Sequence, residues 1–368
     1  MSATHFIVKI THTCNLQCNY CYLRHNKPRE TSFMAGETFS NCLDAALRNA
    51  RAENLKKINI ILHGGEPLLL GITRISDYLD RVRTLEKQYG ISIVLGLQTN
   101  GLLLDDEYIA LLKKGQFNIG LSLDGPEHVH NAHRLTKTGR GSFEVVIKNL
   151  KKALDAGLDP GILAVVQPDV MGDEVYSFFE QTGIKRISFL LPAQNHAAPV
   201  FPSDEKHTPV ADYLIRAFDS WLNSSRQDVH VYLFEATIRA IYEKSEGIPV
   251  IGSPPAEWIS FTPDGAVEAG DCYGICNAET VFRDDPLDAI HLCEQSEIYQ
   301  LQKKGGTLPN ALQCRECCYA DICRGGFLPH RYSASNGYDN PSYYCHDLKR
   351  YFAHVIQRLK AVDKEFAR

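Results

Sequence analysis

Three thiols fall in one short run close to the amino terminus: Cys14, Cys18 and Cys21 in Thr-Cys-Asn-Leu-Gln-Cys-Asn-Tyr-Cys-Tyr. Three thiolates on one loop can occupy three corners of a [4Fe–4S] cube, leaving the fourth iron free to bind something other than protein. The same thiols also suit a zinc knuckle, which wants a fourth Cys or His close by, and His5 and His12 are near in sequence. The surrounding chain has to separate the two chemistries.

With 368 residues, 44% of them hydrophobic, the chain is long enough to fill a large core and to form two structural units. No apolar run approaches the roughly 18 residues of a membrane span, and Met1 to Ile10 lacks the charged start and apolar stretch of a signal peptide. The expectation is a cytoplasmic protein with no membrane partner. In that compartment thiols stay reduced, so clusters among the 12 cysteines read as metal ligands and not as disulfides. A net charge of −5 without a block of like charge offers no footprint for nucleic acid or anionic lipid.

Phe6–Ile10 is a short β-rich run ending at the cysteine loop, and further apolar runs follow at Ile58–Leu62, Ile93–Leu97, Ile119–Leu123, Ile162–Val166 and Ile187–Leu191. Between the first two, Gly36 to Arg51 shows helical spacing with Phe39, Leu43, Ala46 and Leu47 on one face. Strands alternating with helices imply parallel crossover units and a sheet whose carboxyl ends carry the site. The fold class is therefore α/β, either a barrel or, on periodicity alone, a doubly wound sheet.

Chemistry-bearing segments follow these strands. His63-Gly64-Gly65-Glu66-Pro67 comes after the second, Gln98-Thr99-Asn100-Gly101 after the third, and Ser122-Leu123-Asp124-Gly125-Pro126 after the fourth, with His130-Asn131-Ala132-His133-Arg134 beyond. Taken singly, a Gly-Gly pair is a turn and Arg134 a surface ion-pair partner. In this order, after the cysteine loop, they resemble the radical S-adenosylmethionine (radical SAM) enzymes, and more closely their peptide-modifying branch. That resemblance implies a partial (β/α)6 TIM-like barrel and a SAM-binding [4Fe–4S] cluster on Cys14, Cys18 and Cys21. It also implies that Gly64, Gly65 and Glu66 hold the amino group of SAM and that Ser122 and Arg134 bind its carboxylate. Reductive cleavage of SAM in that family gives a 5′-deoxyadenosyl radical.

A second set of thiols lies in the last third: Cys314, Cys317, Cys323 and Cys345, with Cys318 alongside. Four thiolates can close a cube completely or hold one zinc. Their spacing resembles the second half of the SPASM pattern of radical SAM peptide maturases, which implies one auxiliary [4Fe–4S] cluster in a carboxyl-terminal SPASM-type domain. Three further ligands of the full pattern are missing. The hairpin Thr262-Pro263-Asp264-Gly265 is preceded by Glu257-Trp258-Ile259-Ser260, position 270 is Gly and position 327 is Phe. A first auxiliary cluster is not expected; Cys272, Cys276, Cys293 and Cys318 are expected to be structural or free thiols, and Cys42 a small core residue. The expected division is a core over 1–205, a helical bridge over 206–252 and an auxiliary domain over 253–368.

The segment Cys323-Arg-Gly-Gly-Phe-Leu-Pro-His330-Arg331-Tyr332, with Asn336-Gly-Tyr-Asp339-Asn340-Pro341 before Cys345, resembles the maturases that form three-residue cyclophanes in ribosomally made peptides. The resemblance implies hydrogen abstraction from a side-chain β-carbon of a precursor peptide, then a carbon–carbon bond to an aromatic residue. A low-potential donor such as flavodoxin or ferredoxin is the implied electron source. Asp271 aligns with the proton acceptor of the more distantly similar anaerobic sulfatase-maturating enzymes; by itself an Asp past a hairpin is a turn acceptor. Asp339 and His330 are substitutes for it. A side-chain oxidase, an epimerase, a thioether former, and a non-catalytic iron–sulfur or zinc protein remain the alternatives. No peptide-binding domain precedes the cysteine loop, so a leader is expected to bind elsewhere.

Overall fold

Every apolar run of the first half is a strand: β1 (His5–Thr11), β2 (Lys57–Gly64), β3 (Ser92–Thr99), β4 (Asn118–Ser122), β5 (Gly161–Val165) and β6 (Arg186–Leu190). The structure, a computed structural model, describes residues 3–25, 33–242, 248, 250, 251, 257–276, 281–304 and 311–366. Periodicity misses β7 (His230–Val231), β8 (Trp258–Phe261), β9 (Val267–Glu268) and β10 (Val281–Phe282), because strands this short show no alternation. The chain folds as two compact units, one of Met1–Leu123, His130–Ile162 and Glu257–Lys303, the other of Asp124–Val129, Leu163–Ala256 and Lys304–Arg368.

In the first unit the strands lie in the order β10-β9-β8-β1-β2-β3-β4. From β8 through β4 the neighbours are parallel, and β8, β9 and β10 pair antiparallel. Parallel neighbours need crossovers, supplied by the helices Gly36–Ala52, Ile72–Tyr89 and Asp106–Lys114. One face of the sheet buries Phe6, Val8 and Ile10, then Ile58, Ile60 and Leu62, then Ile93, Leu95 and Leu97. Helix Gly36–Ala52 turns Phe39, Cys42, Leu43, Ala46, Leu47 and Ala50 inward, and Phe39 stacks on Tyr78 with ring centres 4.0 Å apart. Burying such a ring stabilises the fold by about 1.5–3 kcal/mol. Cys42, 1% exposed, packs as part of this core.

The opposite face carries the polar row. Lys9 pairs in register with His63, Leu62 with Leu97, and Gln98 with Gly120. Strand side chains alternate, so Lys9, His63, Gln98 and Ser122 share that face at the carboxyl ends of β1 to β4.

The second unit is built on rings. Phe189 of β6 lies 5.5 Å from Tyr213 and 5.7 Å from Phe234, and Phe218 meets Phe234 at 5.4 Å. These come from helices Pro209–Leu222 and Tyr232–Tyr242, and the long helix Cys345–Phe366 adds Tyr351. Its buried Asp347 accepts from the Ala211 amide at 2.8 Å, tying the two helices together at their starts. Among the described residues no helix is long and apolar enough to cross a membrane.

Where β2 ends, two glycines allow a close approach of backbone to backbone. Gly64 has φ +124°, and a Cβ on Gly65 would lie 2.1 Å from the Thr13 carbonyl oxygen. Gly65→Ala should therefore destabilise the protein by about 2 kcal/mol or more. An unchanged denaturation midpoint would show that this approach is not tight.

Candidate active site

The cysteine loop is held from both sides. On one, the Gly65 amide donates to the Thr11 carbonyl at 2.8 Å and the Glu66 amide to that of Thr13 at 2.9 Å. On the other, the Gln17 amide donates to the Leu135 carbonyl at 2.8 Å, and His133 Nδ1 lies 2.7 Å from Asn19 Oδ1. Arg134 sits over the Tyr20 ring, its guanidinium carbon 5.5 Å from the centre. Asn100 reaches in from the end of β3, donating to Asn15 Oδ1 at 2.7 Å and to Cys14 Sγ at 3.7 Å. The sequence marks this Asn100 segment without giving it a task; here it braces the first cysteine.

Cys14, Cys18 and Cys21 are each half-buried. Burial pushes the Cys14 thiol up to about 11, against the Leu16 amide that hydrogen-bonds it, and Glu66, Cys18 and Cys21 add to the rise. Three thiols close enough to repel as anions suit a cationic iron cluster, which displaces their protons on binding.

Other expected site residues are placed as follows. Gly64 and Gly65 serve the chain's own approach to Thr11 and Thr13. Glu66 is 1% exposed and its carboxylate accepts from the Leu68 amide (3.0 Å), the Thr99 hydroxyl (2.7 Å) and the Asn100 amide (2.8 Å). It works as a strut between the ends of β2 and β3, with acceptor capacity left over. Ser122 accepts from Gln98 Nε2 at 3.0 Å, and Arg134 is 7% exposed. All of them belong to the first unit.

Asp271 belongs to it too, just past β9. Tyr22, directly after the last loop cysteine, donates to Asp271 Oδ2 at 2.5 Å, and Cys272 Sγ donates to Oδ1 at 3.4 Å. Burial pushes the Asp271 carboxyl up, but His63, Lys9 and these two donors outweigh it and hold it below its ordinary value. Lys9, fully buried, pairs with Glu268 at 2.5 Å. Breaking such a pair typically costs about 3–5 kcal/mol. Sequence reasoning misses Tyr22, His63, Lys9 and Glu268; the one available signal is Lys9, a lone charge inside an apolar strand.

In the second unit Cys314, Cys317, Cys323 and Cys345 line one pocket, with about 390 Å³ of empty space partly open to solvent. Ala320, Leu348 and Phe352 are among the other residues of its wall, while Cys318 is exposed and outside it. The Tyr319 amide donates to Cys317 Sγ at 3.4 Å. Burial pushes Cys314 up to about 11 and Cys323 up to about 12. Among the described residues no group of three or more His, Cys, Asp and Glu converges tightly enough for a single metal ion. His330 is packed between Phe327 and Tyr344, at 5.1 and 5.0 Å, and Asp339 is exposed on a loop pinned by Asn340. Both residues belong to the second unit and Asp271 to the first. Cys276 and Cys293 are buried in the first unit. A Cβ at position 270 would meet the Tyr273 ring at 2.9 Å and Trp258 Nε1 at 3.4 Å, so aromatic rings fill the space beside Gly270.

Residues 8–181 match the model of the Radical SAM superfamily. The cysteine-type anaerobic sulfatase-maturating enzyme of Clostridium perfringens is 24% identical over 366 residues, covering 94% of each chain. An uncharacterized protein of Methanocaldococcus jannaschii is 30% identical over 220 residues, which span 58% of this chain and 71% of that one. Among solved structures, native anSMEcpe with bound AdoMet and Cp18Cys peptide superposes with a TM-score of 0.83 at 22% identity, over 98% of this chain and 99% of that one. Streptococcus suis SuiB bound to precursor peptide SuiA gives 0.62 at 15% identity, over 94% and 76%.

Glu66 supplies a pH test of the site. Burial pushes its carboxyl up to about 7, against its three donors, so the folded protein keeps a proton that the unfolded chain releases near 4.5. Stability should therefore fall as pH rises between those values, by on the order of 3 kcal/mol. Glu66→Gln should flatten that decline in denaturation midpoints measured from pH 4.5 to 7.5; equal slopes would assign the titration elsewhere.

Proposed function

The chain belongs to the radical SAM superfamily, and we propose that it modifies a ribosomally made peptide by joining a side-chain β-carbon to a nearby aromatic residue. Cys14, Cys18 and Cys21 would hold the SAM-binding cluster, while Gly64, Gly65, Glu66, Ser122 and Arg134 would bind SAM. Held there, the cluster and SAM would supply a carbon-centred radical able to remove a hydrogen atom from a bound peptide. A low-potential flavodoxin or ferredoxin would provide the electron, and Cys314, Cys317, Cys323 and Cys345 would hold an auxiliary cluster suited to one-electron transfer.

The observation that carries the reading is the placement of Asp271. An ionised carboxylate stands within one unit with the cysteine loop, hydrogen-bonded to the residue after its last cysteine. After the new bond forms, the ring must lose a proton and an electron to regain aromaticity. Asp271 would take the proton. The rings filling position 270 support a chemistry that does without a first auxiliary cluster. The loop from Cys323 to Cys345 supports the crosslinking branch by its likeness to the cyclophane maturases.

A second reading, a side-chain oxidase, is favoured by full-length relatives named as sulfatase-maturating enzymes. Both reactions remove two hydrogens. Coexpression with a candidate precursor peptide and tandem mass spectrometry separate them: the loss divided between a β-carbon and an aromatic ring supports crosslinking, and the loss confined to one Cys or Ser supports oxidation.

Two further outcomes are expected. Reconstituted protein should bind about eight irons per chain, and serine at any one of Cys314, Cys317, Cys323 or Cys345 should reduce this by up to about four, whereas Cys318→Ser should not. About twelve irons, with Cys272 and Cys276 among the ligands, would add a cluster that this reading leaves out. Asp271→Asn should lower the ratio of modified peptide to deoxyadenosine by roughly 10²–10⁴. A wild-type ratio would remove Asp271 from the chemistry.

A further inference from the structure

We propose that the Lys349 ammonium raises the reduction potential of the auxiliary cluster, so that the four-cysteine site takes up an electron more readily. This rests on the reading of Cys314, Cys317, Cys323 and Cys345 as the ligands of that cluster, and adds the group that sets its redox level.

The placement comes from one helix. Cys345 opens the helix Cys345–Phe366, and Cys345, Leu348, Lys349 and Phe352 all line the four-cysteine pocket. Their spacing, i, i+3, i+4 and i+7, is one face of a helix, and it sets Lys349 one turn beyond Cys345 on the side turned to the thiols. Lys349 is half-buried there. Besides the thiols, it is the residue of the described wall that carries a charge at neutral pH. No carboxylate lines that wall to pair with it. Arg331, a buried cation between Cys323 and Cys345, is not part of the wall, and its Nε donates to the Tyr338 carbonyl at 2.9 Å.

A cation partly withdrawn from water is held best beside an anion. Metal binding makes the thiols anionic, since it displaces their protons, and a cube held by four thiolates gains a further negative charge on reduction. A cation on the wall attracts the reduced form more strongly than the oxidised one, which moves the equilibrium toward reduction. Ala320, Leu348 and Phe352 keep the surroundings apolar, where charges act on one another more strongly than in water. The Tyr319 amide that donates to Cys317 Sγ works in the same direction with a smaller, neutral dipole. Lys349 makes and breaks no bond. It biases a one-electron equilibrium, and the electron concerned is the one an aromatic ring must lose after the new carbon–carbon bond forms.

Three substitutions separate charge from packing. Lys349→Met keeps the apolar stem and removes the charge, Lys349→Arg keeps the charge, and Lys349→Glu reverses it. Each is made in the full chain with Cys14, Cys18 and Cys21 replaced by alanine, so that anaerobic reconstitution leaves one cluster to titrate. Midpoints are then read by electron paramagnetic resonance at set potentials. At the midpoint of the chain with Lys349 intact, the ratio of reduced to oxidised cluster should fall about tenfold in Lys349→Met, which is about 59 mV for one electron. It should fall further in Lys349→Glu and stay within about twofold in Lys349→Arg. The resonance reports only chains that hold a cluster, so a variant that loads poorly still yields its midpoint.

An unmoved midpoint in Lys349→Met overturns the proposal, and so does an equal fall in Lys349→Met and Lys349→Arg, which would assign the effect to packing. A triple-alanine chain that binds no iron overturns instead the reading of the four thiols as a cluster site. Iron analysis shows that failure before any potential is measured.

Discussion

Everything at the candidate site depends on how closely the end of β2 approaches the start of the cysteine loop. Two amide-to-carbonyl hydrogen bonds, from Gly65 to Thr11 and from Glu66 to Thr13, extend the pairing of β1 and β2 past the sheet. Only residues without a Cβ can come this near, because at both positions the added carbon would sit little more than 2 Å from a carbonyl oxygen. The three thiols are thereby fixed to a strand end and not left on a free loop. Glu66 then carries the constraint outward, since the same residue whose amide grips the loop spreads its carboxylate over the ends of β2 and β3. Asn100 closes the circuit by returning from β3 to Asn15 and Cys14.

This circuit divides what the amino-acid sequence makes legible from what it hides. The six longer strands are readable because each buries alternate residues on one face, and β2 does so through Ile58, Ile60 and Leu62. The cysteine sets are readable because thiolate chemistry fixes its own spacing. The glycines read, by resemblance, as part of the SAM-binding segment, whereas the approach they make here is to Thr11 and Thr13. Backbone crowding between segments about fifty residues apart leaves no local pattern to find. For the same reason Tyr22 and His63 carry no signal of their own; each looks ordinary until β9 brings Asp271 back beside the loop.

Charge on the polar face is arranged by burial and pairing together. Lys9 and Glu268 are both withdrawn from water, and an isolated charge at either place would be costly, so each is tolerated through the other. The Lys9 charge acts on both His63 and Asp271. Its field opposes protonation of the ring and favours the carboxylate anion.

The region after the hairpin is held by backbone hydrogen bonds and by aromatic packing. The turn Thr262–Gly265 is intact, with the Thr262 amide bonded to the Ala266 carbonyl at 2.8 Å and Gly265 at φ +88°. The ground beside position 270 needs a cohesive filling like any interior. Tyr273, 2% exposed, and Trp258 provide it beside Gly270. A side chain at 270 would have to displace the Tyr273 ring, whose nearest atom lies 2.9 Å from the Cβ it would add. Asp271, next to position 270, is held by Tyr22 on one side and by its own neighbour Cys272 on the other, so the acceptor proposed above is positioned by hydrogen bonds.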